Sequence, residues 1–340
     1  MSDLDEKSDL LQKALKEPAL KYVVDDQLPL IPQAELRRGE IYGLNGHRPS
    51  ALEPQLFYQH PHGTLHVGDS LRWLASLKSE SVDLVVADPP YNINKAEWDS
   101  FESQQAYVDW SLKWIEQAAR VLKPNGTLYV CGFSEILADI KLPALKHFEG
   151  CRWLVWHYKN KANLRSDWGR SHESILHFRK SRDFTFNTDA VRIPYGNHTT
   201  KYPERIQADT SQYGRGRKSP EKPVWRPHPG GAKPRDVIEI PTTCNGMNET
   251  TPHPTQKPEE LIRKLVLASS NKDDLVIDPF LGSGTTAVVA EQLKRQWMGC
   301  DLSEEYCRWA INRIESVNEW TVEKWIEFDT NNTNRRKSIR

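Results

Sequence analysis

Two short stretches of this 340-residue chain set polar chemistry at the ends of apolar runs. The first is Ala87-Asp88-Pro89-Pro90-Tyr91-Asn92, which follows the run at 82–86. Two consecutive prolines stiffen the corner and remove two backbone donors. The Pro89 carbonyl, the Asp88 carboxylate and the flat Tyr91 ring then stand side by side. Two acceptors match the two N–H bonds of an exocyclic amine, and the ring matches the flat group that carries it. A simple turn is the other reading. The second stretch is Asp278-Pro279-Phe280-Leu281-Gly282-Ser283-Gly284-Thr285-Thr286. Here a strand ends, glycines let the backbone bend, and a helix begins, which exposes N–H groups to a ligand. The spacing is not that of a phosphate loop, because no lysine follows the second glycine. Tight packing is the competing reading. Asp301 ends the next apolar run, where a carboxylate accepts hydrogen bonds from both hydroxyls of a ribose. Strand, glycine bend, helix, strand and acid together point to a nucleoside-bearing ligand.

Alternating elements must position these residues. Period and punctuation predict strands at 64–67, 82–90, 127–131, 152–157, 173–178, 275–279 and 297–301. Helices are expected at 104–122, 134–147, 258–270, 285–294 and 303–317. Strands with intervening helices imply an α/β protein built on a doubly wound parallel sheet. Residues 1–50 form an expected N-terminal arm, with an amphipathic start around Leu4, Leu10, Leu11 and Leu15 before Pro18, Pro29 and Pro32 break it. Residues 51–180 and 253–318 are expected to make two halves of one domain, and 319–340 a basic tail.

Residues 181–252 interrupt the rhythm with nine prolines, and from Arg192 to Arg235 ten basic residues face three acidic ones. Arg192, Arg205, Arg215, Arg217, Lys218 and Arg226 are its candidate DNA-binding cations. A basic, aromatic-dotted insert suits a phosphate backbone, and a solvated loop is the alternative. The rest of the chain balances it, since 46 Lys and Arg meet 46 Asp and Glu overall. Hydrophobic residues, 38% of the chain, suffice for a sizeable core. No apolar run is long enough to span a bilayer, and the acidic start lacks the apolar core of a signal peptide. The five cysteines are scattered without a Cys-x-x-Cys pair, so reduced thiols in a cytoplasmic protein are expected, with no zinc framework and no metal.

The chain resembles the β group of S-adenosylmethionine (AdoMet)-dependent DNA amino-methyltransferases. ADPPYNI (87–93) resembles the family's catalytic motif, and DPFLGSGTT (278–286) its AdoMet motif. HVGDS (66–70) resembles the segment at the cofactor's adenine, and HPTQKPEELI (253–262) the segment at its methionine end. The catalytic motif precedes the basic insert and the AdoMet motif follows it, an order similar to the β group. The resemblance implies a Rossmann-like, circularly permuted methyltransferase sheet with an inserted target-recognition region at 181–252. It implies that Asp88, Pro89, Pro90 and Tyr91 serve catalysis. It implies that Gly282, Ser283 and Gly284 bend around AdoMet within the segment Asp278, Pro279, Phe280 and Thr285. Asp301 would take the ribose, Asp69 the adenine amine, and Thr255 with Lys257 the methionine carboxylate. WHYKN (156–160) resembles the target-base segment, so Trp156 or Tyr158 would meet the base, unless Trp156 belongs to the core. The implied activity is methylation of adenine N6 in double-stranded DNA, in a bacterial or phage-like cytoplasm. Cytosine N4 is the alternative, and a non-catalytic AdoMet-binding regulator of DNA the remote one. A cognate restriction endonuclease and a homodimeric state are the further partners implied.

Overall fold

The computed structural model describes residues 52–93, 99–159, 168–206, 224–243 and 249–317. The expected N-terminal arm and the basic tail lie outside them.

The first strands are β1 (Gln55–His60), β2 (Gly63–Val67) and β3 (Val82–Ala87), with helix α1 (Ser70–Ser76) between the last two. Next come α2 (Gln104–Val121), β4 (Leu122–Gly132), α3 (Ser134–Ala144), β5 (Gly150–His157) and β6 (His172–Arg179). The insert contributes α4 (Asn197–Lys201) and the short strands β7 (Arg205–Ile206), β8 (Val224–Trp225) and β9 (Val237–Glu239). The described part closes with α5 (Glu259–Ser269), β10 (Leu275–Asp278), α6 (Thr285–Gln292), β11 (Gln296–Asp301) and α7 (Glu304–Glu315).

Nine strands form one sheet in the order β1-β2-β11-β10-β3-β4-β6-β5-β9. Strands β2, β11, β10, β3 and β4 are mutually parallel. The two late strands β10 and β11 therefore sit between two early ones, which is the permutation seen in space. The crossover β3-α2-β4 moves one way along the sheet and β10-α6-β11 the other. Right-handed connections then place α2 and α6 on opposite faces. With both faces covered, β3 is apolar almost without break, and Leu84, Val85 and Ala87 are fully buried.

The sheet is not wholly parallel as expected. β6 runs antiparallel to both β4 and β5, because the register His157↔His172 returns the chain directly to its neighbour. β1 is antiparallel to β2. Neither β1 nor α1 was legible as an element. β4 starts at Leu122, ahead of the Pro124-Asn125-Gly126 stop, and a register irregularity between Val82 and Leu84 absorbs the extra residues.

Local chemistry starts the helices where they are needed. Ser103 caps α2 by accepting from the Ala106 N–H, which lays Tyr107, Trp114, Ile115 and Ala118 into the core. Ser303 caps α7, whose first turn carries Glu304 and Glu305, a favourable sign at a helix N-terminus.

Candidate active site

β3 and β10 are parallel neighbours, with Val276 opposite Leu84 and Ile277 opposite Val85. Their carboxyl ends therefore open at the same edge of the sheet. Since the chain leaves them in opposite directions, a crevice forms between the two exits, the place where open α/β sheets hold ligands.

The exit from β3 is tied down by a residue without a motif. The buried carboxylate of Asp99 accepts from the N–H groups of Tyr91 (2.6 Å), Asn92 (2.7 Å) and Ile93 (3.2 Å). Asn92 turns the chain at φ 57° and accepts from the Phe101 N–H, while the Tyr107 hydroxyl donates to the Pro90 carbonyl. Pro89 and Pro90 are buried, so the corner is rigid. Above it, the Tyr91 hydroxyl donates to Asp88 Oδ1 (2.7 Å) and also lies 3.1 Å from Glu173 Oε2. The Tyr91 ring meets Phe133 edge-on at 4.9 Å.

The exit from β10 depends on two glycines with left-handed backbone, Gly282 at φ 54° and Gly284 at φ 84°. A Cβ on Gly284 would come within 2.7 Å of the Ala310 Cβ, so this glycine also lets α7 approach. The acids support the bend from inside. Asp278 accepts from the Phe280 N–H (2.9 Å) and the Thr286 hydroxyl (2.6 Å). Burial pushes its carboxyl up to about 7, although both hydrogen bonds pull the other way. Asp301 accepts from the N–H groups of Gly282 (2.8 Å) and Ser303 (2.9 Å), and burial pushes it up to about 6. The expectation of outward-facing glycine N–H groups is corrected here. The Gly282 N–H goes to Asp301 and the Gly284 N–H to the Leu281 carbonyl, because a bend this tight satisfies its own donors. Arg313, which no motif marked, clamps the bend from α7 by donating to the Ser283 carbonyl (2.9 Å) and the Thr285 hydroxyl (3.0 Å). Phe280 packs between Trp110 and Trp114 of α2, so it joins the bend to the core.

Lys257 connects the two exits. Its carbonyl accepts from the Thr285 hydroxyl (3.2 Å), and its ammonium donates to Asp88 Oδ2 (2.7 Å), 169 positions away in the chain. The ammonium is also 3.4 Å from Glu173 Oε2. Burial works against its charge, but Asp88 and Glu173 overcome that and hold it above the ordinary lysine range. In the structure the Lys257 ammonium, expected at a methionine carboxylate, is held by two part-buried carboxylates. Asp69, expected at an adenine amine, caps α1 by accepting from the Arg72 N–H (2.9 Å), and its remaining lone pairs stay open to a ligand.

A cavity of about 410 Å³ opens here, with Tyr91, Trp156, Tyr158, Thr255, Lys257 and Glu173 in its wall. Trp156 is a core residue that also lines the cavity. It is 2% exposed and its indole N–H donates to the Ile240 carbonyl, yet it faces the cavity and meets Tyr158 edge-on at 5.3 Å. His253 stands between the cavity and Gly282, and burial lowers its imidazole to about 4, so it is neutral near pH 7. Glu173 was legible only as a charged residue opening an apolar strand, and Asp99 had no signal beyond its charge.

The residues present suit AdoMet. A bend whose two glycines carry no Cβ, a strand-end carboxylate at Asp301, and part-buried carboxylates beside a cavity together fit a nucleoside bearing a cationic centre.

The basic insert is less uniform. Arg192 donates to Asp189 (2.7 Å) and the Gly231 carbonyl (2.8 Å), and only 11% of its side chain is exposed. These two contacts brace the insert. Arg226 is exposed and donates to Glu204 at 2.9 Å. Arg205 lies on β7, while Arg215, Arg217 and Lys218 are outside the described residues.

Comparison with known proteins adds an independent finding. A family model described as DNA methylase matches residues 82–313. The Type II methyltransferase M1.MboII of Moraxella bovis is 33% identical over 261 residues, covering 74% of this chain and 97% of that protein. DNA adenine methyltransferase YhdJ of Escherichia coli (strain K12) is 32% identical over 279 residues, covering 81% and 90%. Among solved structures, the PvuII DNA methyltransferase (cytosine-N4-specific) is similar in fold, with a TM-score of 0.58 at 20% identity over 79% of this chain and 93% of that one.

Proposed function

The chain belongs to the AdoMet-dependent DNA methylase family, and from that premise we propose that it methylates the N6 amino group of an adenine flipped out of double-stranded DNA. One observation carries this: Lys257 ties the Asp-Pro-Pro-Tyr corner to the glycine bend across a single crevice. Donor and acceptor can therefore meet there. A relative of similar length acts on adenine by its name, which favours that base.

A stacked, paired base hides its amine, so the nucleotide must be extruded at a cost of a few kcal/mol. The Tyr91 ring in the cavity wall offers a stacking face, worth about 1–3 kcal/mol. The amine lone pair is delocalised into the ring and is a poor nucleophile. Asp88, with its remaining lone pairs, and the Pro89 carbonyl accept the two N–H bonds and favour a tetrahedral nitrogen. AdoMet held at the glycine bend would supply an electrophilic methyl group to that nitrogen, whose extra proton would pass to water. The rigid corner and the glycine bend hold the two reactants in line, an effect worth up to about 7–11 kcal/mol. In this scheme Asp301 receives the ribose, Asp69 the adenine amine, and Thr255 the methionine end. Trp156 and Tyr158 wall the base pocket, and residues 181–252 recognise the target. The protein would work in a bacterial or phage-infected cytoplasm, as a monomer or homodimer, beside a restriction endonuclease of matching sequence.

The deciding experiment sequences DNA from cells expressing the protein with a modification-sensitive read-out. N6-methyladenine at one recurrent sequence is expected. N4-methylcytosine would move the target to the other base, and unmodified DNA with active, AdoMet-loaded protein would overturn the activity.

A further inference from the structure

Glu173 opens β6 and reaches the crevice from the side opposite the glycine bend. It belongs to none of the segments that carry the family resemblance. Its Oε2 lies 3.1 Å from the Tyr91 hydroxyl and 3.4 Å from the Lys257 ammonium. Asp88 holds the same two groups, each at 2.7 Å. Two carboxylates thus share one hydroxyl and one ammonium, and their side chains are only 20% and 15% exposed. Among the described residues a single cation, Lys257, pairs with them. Around the cluster stand Tyr91, Trp156, Tyr158, Thr255 and a His253 that burial keeps neutral. Among the described residues the next cation is Arg170, which lies over the Phe133 ring at the cavity wall and pairs with Glu135. Among the described residues the two carboxylates thus outnumber the ammonium in a partly desolvated place, where an excess negative charge is costly unless a cation arrives.

We propose that Glu173 is a charge-selecting residue, which completes a net-negative cluster that attracts the sulfonium form of the cofactor over its neutral product. Asp88 and Lys257 alone would be a neutral pair, indifferent to the charge on sulfur. With Glu173 added, the pocket matches one positive charge. When the methyl group leaves, the C–S bonding pair remains on sulfur as a neutral thioether, and S-adenosylhomocysteine loses the attraction. The same residue thus favours loading with AdoMet and release of the product. The inference rests on the proposed AdoMet site.

The test measures dissociation constants by titration calorimetry for AdoMet and S-adenosylhomocysteine, in the wild-type protein and in Glu173→Gln. Glutamine keeps the shape and can still accept from the Tyr91 hydroxyl, so only the charge is removed. The expected result is a loss of about tenfold in AdoMet affinity at low salt, with S-adenosylhomocysteine changed less than about twofold. Equal losses for both ligands, or no loss, would overturn the proposal. Should Glu173→Gln fail to fold, the wild type decides alone through sinefungin, whose amine-bearing carbon replaces the sulfonium. It should bind more tightly than S-adenosylhomocysteine, and equal affinities would overturn the inference. If the wild type binds none of the three ligands, the AdoMet site itself is wrong and the inference falls with it. Binding of all three without charge preference removes the inference alone.

Discussion

Asp88 has both oxygens engaged, Oδ1 by the Tyr91 hydroxyl and Oδ2 by Lys257. A carboxylate offers about four lone-pair sites, so an incoming amine still finds an acceptor. Replacing Asp88 with Ala should lower methyl transfer to DNA by at least about 100-fold in a tritiated-methyl assay, while AdoMet binding persists in weakened form. Turnover close to wild type would remove Asp88 from the chemistry. Asp278 makes a different forecast. Burial raises its carboxyl to about 7 in the folded chain, against an ordinary value of 3.8. Between those two values the folded state binds the extra proton, so this group's contribution to stability is present below pH 4 and is lost as pH rises through 7. Neutral His253, with its lowered value of about 4, acts in the opposite direction over the overlapping range. The difference between variants isolates Asp278: urea denaturation should show Asp278→Asn gaining on the wild type from pH 5 to pH 8. A gap that does not change with pH would mean that Asp278 stays ionised throughout.

Elements hold these side chains in register. The corner after β3 keeps its shape because one carboxylate, Asp99, collects three consecutive N–H groups. Asp99→Ala strands those donors and should cost about 1–3 kcal/mol in denaturant unfolding. It should lower kcat more than AdoMet affinity, since the loosened loop carries Asp88 and Tyr91. An unchanged kcat would show that the prolines suffice. The bend after β10 relies on backbone that favours glycine. Gly284→Ala meets both the left-handed φ of 84° and the Ala310 Cβ at 2.7 Å. A loss of roughly 2–4 kcal/mol and a lower Tm are expected, with α7 pushed outward and Arg313 drawn off the bend. The Asp-Pro-Pro-Tyr corner and the glycine bend were legible in the sequence because turns are encoded by adjacent residues. Asp99 and Arg313 were not, because their roles depend on where α2 and α7 dock.

Over the whole molecule, the sheet order decides which loops meet, and the charge distribution decides what approaches. Arg192 holds the base of the insert together, and Arg226 carries a carboxylate partner. We propose that the weight of backbone recognition falls on cations such as Arg215, Arg217 and Lys218. Changing these three to Ala should weaken DNA binding and flatten its log–log salt dependence by up to about 2.7, roughly 0.9 per lost phosphate contact. Fluorescence anisotropy at several salt concentrations measures this slope, and an unchanged slope would place the contacts elsewhere.

Residue order was enough to reveal the strand-and-helix rhythm, both motif-bearing turns and the permuted succession of motifs, because each depends on chemistry within a few positions. It was silent on the direction of β6, on the inward duty of Arg192, and on the meeting of Lys257 and Glu173 with Asp88. Those follow from strand pairing and burial. Only once β10 lies beside β3, and β6 beside β4, do an ammonium and two carboxylates from distant segments occupy one desolvated crevice.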